Sequence, residues 1–375
     1  MTTRAVALML VLATSAGAQG TLSTQGLGFP PGQLGTAART MGGAIGEADP
    51  FSPLNPAALG LLNSAIISMQ AEPEYRTVVV GPVTQRTSVA RFPLFQGAMA
   101  LGSRWGVGVA ASTLLDRTWS TTTRDTQMIG GSPVPASVSE HSDGSIADTR
   151  IGVSYAPRQW VKIGVGVHAI SGRDQLHTIR AFDDTERFAT DTQATVLSFG
   201  GNAMSVGAVF MIGRAAVIGA SYRAGGGISS ETRTETVGTG AVPDRMGASF
   251  IYTGISGAAF ALRVAKDEWS ALSGLAKNLK IHEGIDLGAG VELTGPTLGS
   301  NQMGFRLGGR WRTLPFSPND TPVKEQTYSG GFALPMARSR IELNVGGLYA
   351  LRTNGAIGGA KEKAWTLSTG FSVRP

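Results

Sequence analysis

The chain contains no cysteine. That excludes a disulfide-stapled scaffold, thiol chemistry and cysteine-ligated metal. Charge is scarce: Asp, Glu, Lys and Arg make up 15% of the 375 residues, against roughly a quarter in an ordinary soluble domain. The formal excess of base is only +6 and forms no basic stripe, so no nucleic-acid partner is expected. The four histidines, His141, His168, His177 and His282, share no metal-ligand spacing. There is no Gly-x-Ser-x-Gly elbow, and the glycine run at 224–227 lacks the Lys-Ser/Thr of a phosphate loop. Catalytic residues, metal and cofactors are therefore none on this reading. A membrane-spanning helix is missing too. The nearest candidate, Ala203–Tyr222, carries Arg214 at its centre and reads as two alternating strands about a tight turn at Gly213-Arg214.

What the chain has instead is glycine, 52 of it, and alternation. In Val161–Ala169 the odd positions are apolar and the even ones are Lys162, Gly164, Gly166 and His168. Met303–Trp311 and Trp365–Val373 repeat the pattern. A period of two with apolar residues on one face is a strand signal. Long strands with a glycine-rich polar face suit a barrel whose apolar side meets lipid. The expected strands are 64–74, 87–101, 105–122, 144–156, 160–178, 191–212, 216–233, 243–253, 257–267, 281–294, 302–314, 325–336, 340–351 and 363–373. A division at Gly200-Gly201 would make fifteen. An even number is the rule for single-chain barrels, and the split would set two short turns in succession. One long strand with a glycine bulge there also accounts for the apolar parity changing from Leu197 and Phe199 to Met204, Val206 and Phe210. The expected fold is thus an all-β, 14-stranded antiparallel transmembrane barrel. Short turns fall on one side, with both termini. Long loops at 75–86, 123–143, 179–190, 234–242, 268–280, 315–324 and 352–362 fall on the other. Val161, Val165, Phe305, Leu307, Trp365 and Phe371 should face lipid.

Residues 33–61 do not alternate. Pro50 and Pro56 exclude a sheet or helix interior around Asp49 and Asn55. Leu34, Met41, Phe51, Leu54, Leu59, Leu61 and Leu62 give the stretch apolar anchors, so it reads as a compact cap against one end of the barrel. Ahead of it, a basic start, the apolar run Ala5–Ala13 and Ala16-Gly17-Ala18 make a Sec-type signal peptide over 1–18, with cleavage before Gln19. The division is then 1–18 leader, 19–62 plug and 63–375 barrel.

The run Met41-Gly42-Gly43-Ala44, Ala48-Asp49 and Asn55-Pro56-Ala57-Ala58-Leu59 resembles the N-terminal hatch of the FadL-like outer-membrane transporters. Further likenesses are Gly219–Arg223, Arg263–Leu275 around Trp269-Ser270, and Thr327–Gly331 with Ile341–Tyr349. Together they cover nearly the whole chain behind the leader. The resemblance implies a bacterial outer-membrane location and a hatch carried by Met41, Asn55 and Pro56. It implies passive uptake of small hydrophobic compounds, such as fatty acids or hydrocarbons, with lateral or hatch-gated release. The implied partners are outer-membrane lipid, the apolar substrate and the barrel-assembly machinery during insertion. An alternative is a hatch-bearing platform that anchors or shuttles secreted partner proteins. A general porin would want an open lumen, which residues 33–61 count against.

Two groups are candidate ligand contacts. In the loop 267–279, Trp269 and Leu272 stand at helical spacing. They form either an apolar landing site at the outer mouth or, more commonly for such stripes, the packed side of a short helix on the rim. In the hairpin 281–294/302–314, symmetric pairing about residue 298 sets Asp286 opposite Arg310 and Glu292 diagonal to Arg306, all facing the lumen. Arg306, Arg310 and Arg312 could steer a carboxylate head group, though structural pairing is the commoner role. Pro93 interrupts the second strand and implies a bulge rather than a gap in the wall.

Overall fold

The computed structural model describes residues 22–374 apart from 25, 81–82, 276–278, 299–300, 318 and 356–359, so the leader expected over 1–18 lies outside the described residues. Fourteen antiparallel strands form the wall: β1 (Ile66–Val80), β2 (Val83–Leu101), β3 (Trp105–Asp116), β4 (Ser132–Arg158), β5 (Val161–Phe182), β6 (Asp191–Ile212), β7 (Ala216–Glu231), β8 (Arg245–Ile255), β9 (Ala258–Asp267), β10 (Gly284–Leu298), β11 (Asn301–Thr313), β12 (Lys324–Met336), β13 (Ile341–Thr353) and β14 (Lys361–Val373). Each pairs with its sequence neighbours. The sheet closes where β14 meets β1, from Ile67 opposite Val373 to Val79 opposite Lys361. Closure leaves no edge strand, which a sheet in hydrocarbon requires. Among the described residues no helix is long and apolar enough to cross a membrane.

Alternation sorts the two faces as expected. Val165 (60% exposed), Leu307 (58%) and Trp365 (60%) point outward, as do Phe305 and Phe371, with Val161 half-buried at the turn. At the level of the plug, inward positions carry mainly glycine, serine or charge. Pro93 sits at a bulge between the pairs Gln70–Leu94 and Glu72–Arg91, and the ladder resumes on both sides.

Four expectations need correction. First, there is no long loop at 75–86, because β1 runs to Val80 and β2 starts at Val83. Likewise most of 123–143 is strand: Trp119–Ile129 pairs with the first part of β4 as a ribbon beyond the barrel. Second, β6 keeps one parity throughout. Phe199, Ala203 and Ser205 all face inward, while Met204, Val206 and Phe210 face outward. The extra residue of the bulge lies across from Gly201–Ala203 on β7, within Gly225–Ile228. The apolar set changes parity because the surroundings change. In the lipid zone the outside is apolar, whereas nearer the long connections the lumen is. Third, the hairpin β10–β11 pairs Glu292 directly with Arg306 and Asp286 with Arg312. The irregularity between Thr294 and Thr297 and the pair Leu298–Asn301 move the centre of pairing one residue beyond 298, so Arg310 reaches Asp286 diagonally. Fourth, the first described residues are not at the short-turn end. Leu22 packs with Leu314, Val323 and Ala360 at the long-connection end, and the Ser23 Oγ donates to Glu362 Oε1 at 2.7 Å.

The faces generate a test. Leu307→Arg, at the middle of β11 on the lipid side, should cost about 2–4 kcal/mol of unfolding free energy in a bilayer. Gly304→Arg should cost far less, since a side chain there meets only Glu292 and Ala333 at ordinary contact distance. Reversible denaturant unfolding in liposomes measures both. Equal losses would contradict the assigned faces.

Candidate functional site: a lumen sealed by the N-terminal segment

The chain enters the lumen from the long-connection end and descends. Phe29 makes a two-bond bridge to Asp116 at the end of β3, 2.8 Å each way. Below it, a one-and-a-half-turn helix (Thr36–Thr40) and two 3₁₀ turns (Gly46–Ala48 and Pro56–Leu61) circle the inner wall before β1 begins. The circuit touches the wall strand by strand. Thr36 Oγ1 meets Ser368 Oγ of β14 at 3.1 Å, Gly42 N–H donates to Ser329 Oγ of β12 at 3.2 Å, and Asn55 Nδ2 donates to the Ala208 carbonyl of β6 at 3.1 Å. Asn55 also caps its own turn, accepting from Ala57 N–H at 2.9 Å, with Pro56 in the first turn where no donor is needed. Met41 is buried against Ala44 and Ala261.

Glycine makes this circuit fit. A Cβ on Gly219 would stand 2.5 Å from the Glu47 carbonyl oxygen, and one on Gly106 2.6 Å from that of Leu59. At Gly308, Gly290 and Gly164 a methyl group would overlap the backbone of Met41-Gly42 or Ala57 outright. The inward glycines are thus where plug backbone lies directly on wall backbone.

Charge fastens what glycine admits. Glu47, fully buried, receives Arg245 Nη2 at 2.6 Å and Arg263 Nε at 2.8 Å, while Ser249 Oγ donates to its second oxygen at 2.9 Å. Burial alone would push this carboxyl up. Arg263 and Arg245 outweigh it and hold the group below the usual carboxylate range. Higher up, the Phe29 ring has the guanidinium carbons of Arg352, Arg312, Arg91 and Arg76 at 4.5, 4.9, 5.1 and 5.6 Å from its centroid. Glu74, Asp116, Glu325 and Glu362 pair with this quartet. Two spaces at the plug measure about 40 and 20 Å³, room for a few waters at most.

Above the plug the lumen is apolar. Leu27, Leu114, Leu115, Ile146, Phe199 and Val242 form one buried cluster with Trp269 and Leu272, which sit on a 3₁₀ turn (Trp269–Leu275) folded into the mouth. Both candidate contacts are therefore interior, 4% and 1% exposed, and not an exposed landing site. Trp269 packs edge-on to Phe316 at 6.1 Å.

The three candidate arginines are all lumenal, and each holds a wall carboxylate. Arg306 pairs with Glu292, Arg310 with Asp286 at 2.6 Å, and Arg312 with Glu325. Arg312 Nη1 also donates to the Pro30 carbonyl at 2.7 Å. Their guanidiniums serve the wall and the plug. Sequence reasoning passed over Glu47, Phe29 and three of the arginine quartet, Arg76, Arg91 and Arg352. It also named no catalytic residue; in the structure His168 Nδ1 lies 2.7 Å from Asp148 Oδ1 and Nε2 lies 2.9 Å from Ser205 Oγ. That order of groups occurs in hydrolases. Here Ser205 is 3% exposed, a Cβ on Gly166 in the adjacent strand would stand 2.7 Å from its Oγ, and the chain of bonds ties three wall strands together. Inward parity on β4, β5 and β6 was the available signal.

A closed fourteen-stranded barrel with an apolar belt and an internally docked N-terminal plug defines the molecule as a plugged barrel of transmembrane type. No protein-family model matches the sequence, and no curated protein matches it. Among solved structures the chain is similar to a Pseudomonas aeruginosa FadL homologue, 12% identical over 92% of this chain and 99% of that one, with a TM-score of 0.62. It is also similar to the Ralstonia pickettii toluene transporter TbuX (14% identity, 93% and 98% covered, TM-score 0.61) and the Pseudomonas putida toluene transporter TodX (11%, 91% and 98%, 0.58). The likeness is one of fold: the chain has the FadL-type fold over nearly its whole length.

Two predictions follow from the seal. Gly308→Ala should drive Met41-Gly42 off the wall and raise leakage of a small hydrophilic dye from proteoliposomes, whereas Gly347→Ala, with nothing within 4 Å, should leave it unchanged. Glu47→Gln leaves the buried Arg245 and Arg263 with one counter-charge fewer and should weaken plug docking by about 3–5 kcal/mol. In the unaltered protein the same contribution is complete above the ordinary carboxylate value of about 4.3. It is lost only as pH falls through the lower docked-state value, so dye leakage should rise on acidification below that point. A leak that opens on raising the pH would contradict the assignment.

Proposed function

We propose that this chain is a passive channel of the bacterial outer membrane that takes up small hydrophobic compounds, with the N-terminal segment as its gate. The observation that carries the reading is the apolar layer directly above a sealed plug. A pore for ions or sugars would want that volume polar and wet. An apolar solute instead meets Trp269, Leu272, Phe199 and Ile170 after crossing the polar outer surface, where contact with buried apolar side chains lowers its free energy. The fold supports the same reading, since neighbours of this architecture carry toluene or are monoaromatic hydrocarbon channels.

The steps are capture in the apolar mouth, loosening of the segment around Leu27 and Phe29, and passage where the plug leaves the wall. Release goes past the displaced plug or sideways through the wall, for which the bulge at Gln70–Glu72 beside Pro93 is the candidate place. Cells carrying the gene should accumulate labelled toluene and labelled octane faster than cells without it, with uptake of a sugar unchanged. Rates for both hydrocarbons that are the same with and without the gene would overturn the proposal.

A further inference from the structure

The outer face of the wall carries a feature that neither the plug nor the lumen uses. Register sets Tyr328 of β12 beside Tyr349 of β13, Tyr349 beside Trp365 of β14, and Trp365 beside Tyr75 of β1. The row faces outward, and the Tyr349 and Trp365 rings lie 4.5 Å apart. Such aromatic side chains mark where hydrocarbon gives way to head groups.

Beyond that row, toward the long connections, the outer face turns basic. Lys363 and Lys361 lie two and four residues from Trp365, and Lys324 lies four from Tyr328. Lys324 and Lys361 both pair with Thr353, while Lys363 and Arg86 both pair with Thr77. Strand spacing and rise put neighbours in this set about 7–12 Å apart. All four are exposed. Among the described residues none has a carboxylate within ion-pair distance, because the acids at this end of the same strands turn inward. Glu74, Glu325 and Glu362 are buried against Arg76, Arg312 and Arg352. Lysines elsewhere have acids of their own: Lys266 lies 2.8 Å from Glu268, and Lys280 2.9 Å from Asp320.

An apolar furrow of about 650 Å³ opens next to the aromatic row. Ala289 of β10 and Gly309 of β11 pair directly and form its floor, with Leu262 and Tyr328 in register on either side. Trp311 leans over one end, since a Cβ on Gly309 would stand 2.9 Å from its ring. Cations outside the row attract phosphate, and a furrow beside it receives hydrocarbon. A free anion would use the first and not the second. Cations spread from β12 to β2 also suit two phosphates on one broad head better than a single phosphate.

We propose that this face seats a phosphorylated glycolipid of the outer leaflet, with the phosphates of its sugar head on Lys324, Lys361, Lys363 and Arg86 and an acyl chain in the furrow. The inference rests on the outer-membrane location in the channel reading and adds a partner outside the lumen. The seat crosses the β14–β1 seam, so the bound head ties the last strand to the first from outside.

The test measures binding to the full-length protein in neutral detergent by native mass spectrometry. The probes are an acylated glucosamine disaccharide in bisphosphorylated and phosphate-free forms, phosphatidylglycerol and inorganic phosphate. The bisphosphorylated lipid should bind roughly tenfold or more tighter than the phosphate-free one. Lys361→Gln combined with Lys363→Gln should remove most of that preference, whereas Lys266→Gln combined with Lys280→Gln should keep it. Ala289→Leu fills the furrow and should weaken both lipid forms alike. The bisphosphorylated lipid should also raise the unfolding temperature of the unaltered protein more than that of the Lys361/Lys363 variant. Equal affinity for the two forms in the unaltered protein overturns the proposal whether or not any variant folds. A preference or a temperature rise that survives unchanged in the Lys361/Lys363 variant overturns it too, as does unchanged affinity in Ala289→Leu. Competition by phosphate or phosphatidylglycerol as strong as by the glycolipid also overturns it, since the ledge is then a general anion surface. Uptake of labelled toluene by cells separates this inference from the channel. If toluene enters but the phosphate preference is missing, this inference fails and the channel stands. If the preference is present but toluene enters no faster than in cells lacking the gene, the channel reading fails.

Discussion

A closed sheet of fourteen strands is wider than its own side chains can fill, and the rest of this structure depends on that constraint. Eight strands leave an interior that side chains just occupy. Here the gap is filled by a separate length of chain that has to make backbone contact all the way round. Its contacts dictate where the wall is bare, at Gly106, Gly164, Gly219, Gly290 and Gly308. They also dictate where the wall is charged, since a plug held only by apolar contact would have no fixed register. Glu47 between Arg245 and Arg263 supplies one such register, and Phe29 among four arginines supplies another.

The strands cross two media, and their sequences change accordingly. In β5, Ile163, Val165 and Val167 face lipid while Lys162 and His168 face the plug, yet Ile170, on that same inward face, joins the apolar cluster at the mouth. In β6, Phe199 is inward and Met204 outward for the same reason. A membrane barrel is usually pictured as apolar outside and polar inside throughout. This one inverts that pattern near the long connections, where the exterior no longer touches hydrocarbon.

Strand number, closure, facing and the non-strand nature of 33–61 were all legible, because period two and proline chemistry are local properties of the chain. The pairing of Asp286 with Arg310 and of Glu292 with Arg306 was legible as a face but not as a register, since one irregularity near Thr294 moves every partner. The apparent shift of parity in β6 was visible, but its cause was not. A one-residue flip and a change of medium leave the same trace in a sequence. Trp269 and Leu272 could be placed on a short helical turn, but whether that turn looks out or in is decided by the cluster from eight other segments that receives it. Glu47 and Phe29 gave no signal of their own, because each matters only through residues brought to it from strands far apart in the chain.

The route of residues 22–40 bears on how the molecule comes to exist. This segment precedes every strand in the sequence, runs down the interior, and touches the last strand, where Ser23 meets Glu362 and Thr36 meets Ser368. A chain end cannot readily be pushed through a finished ring whose free spaces near the plug hold a few waters. The wall thus encloses a segment that reaches both strands of the β1–β14 seam, Arg39 at Glu72 of β1 and Thr36 at Ser368 of β14. Arg352 of β13 and Glu74 of β1 face each other across that seam at 3.1 Å. The thread is in this sense a mandrel inside the ring, in contact with the first strand and the last.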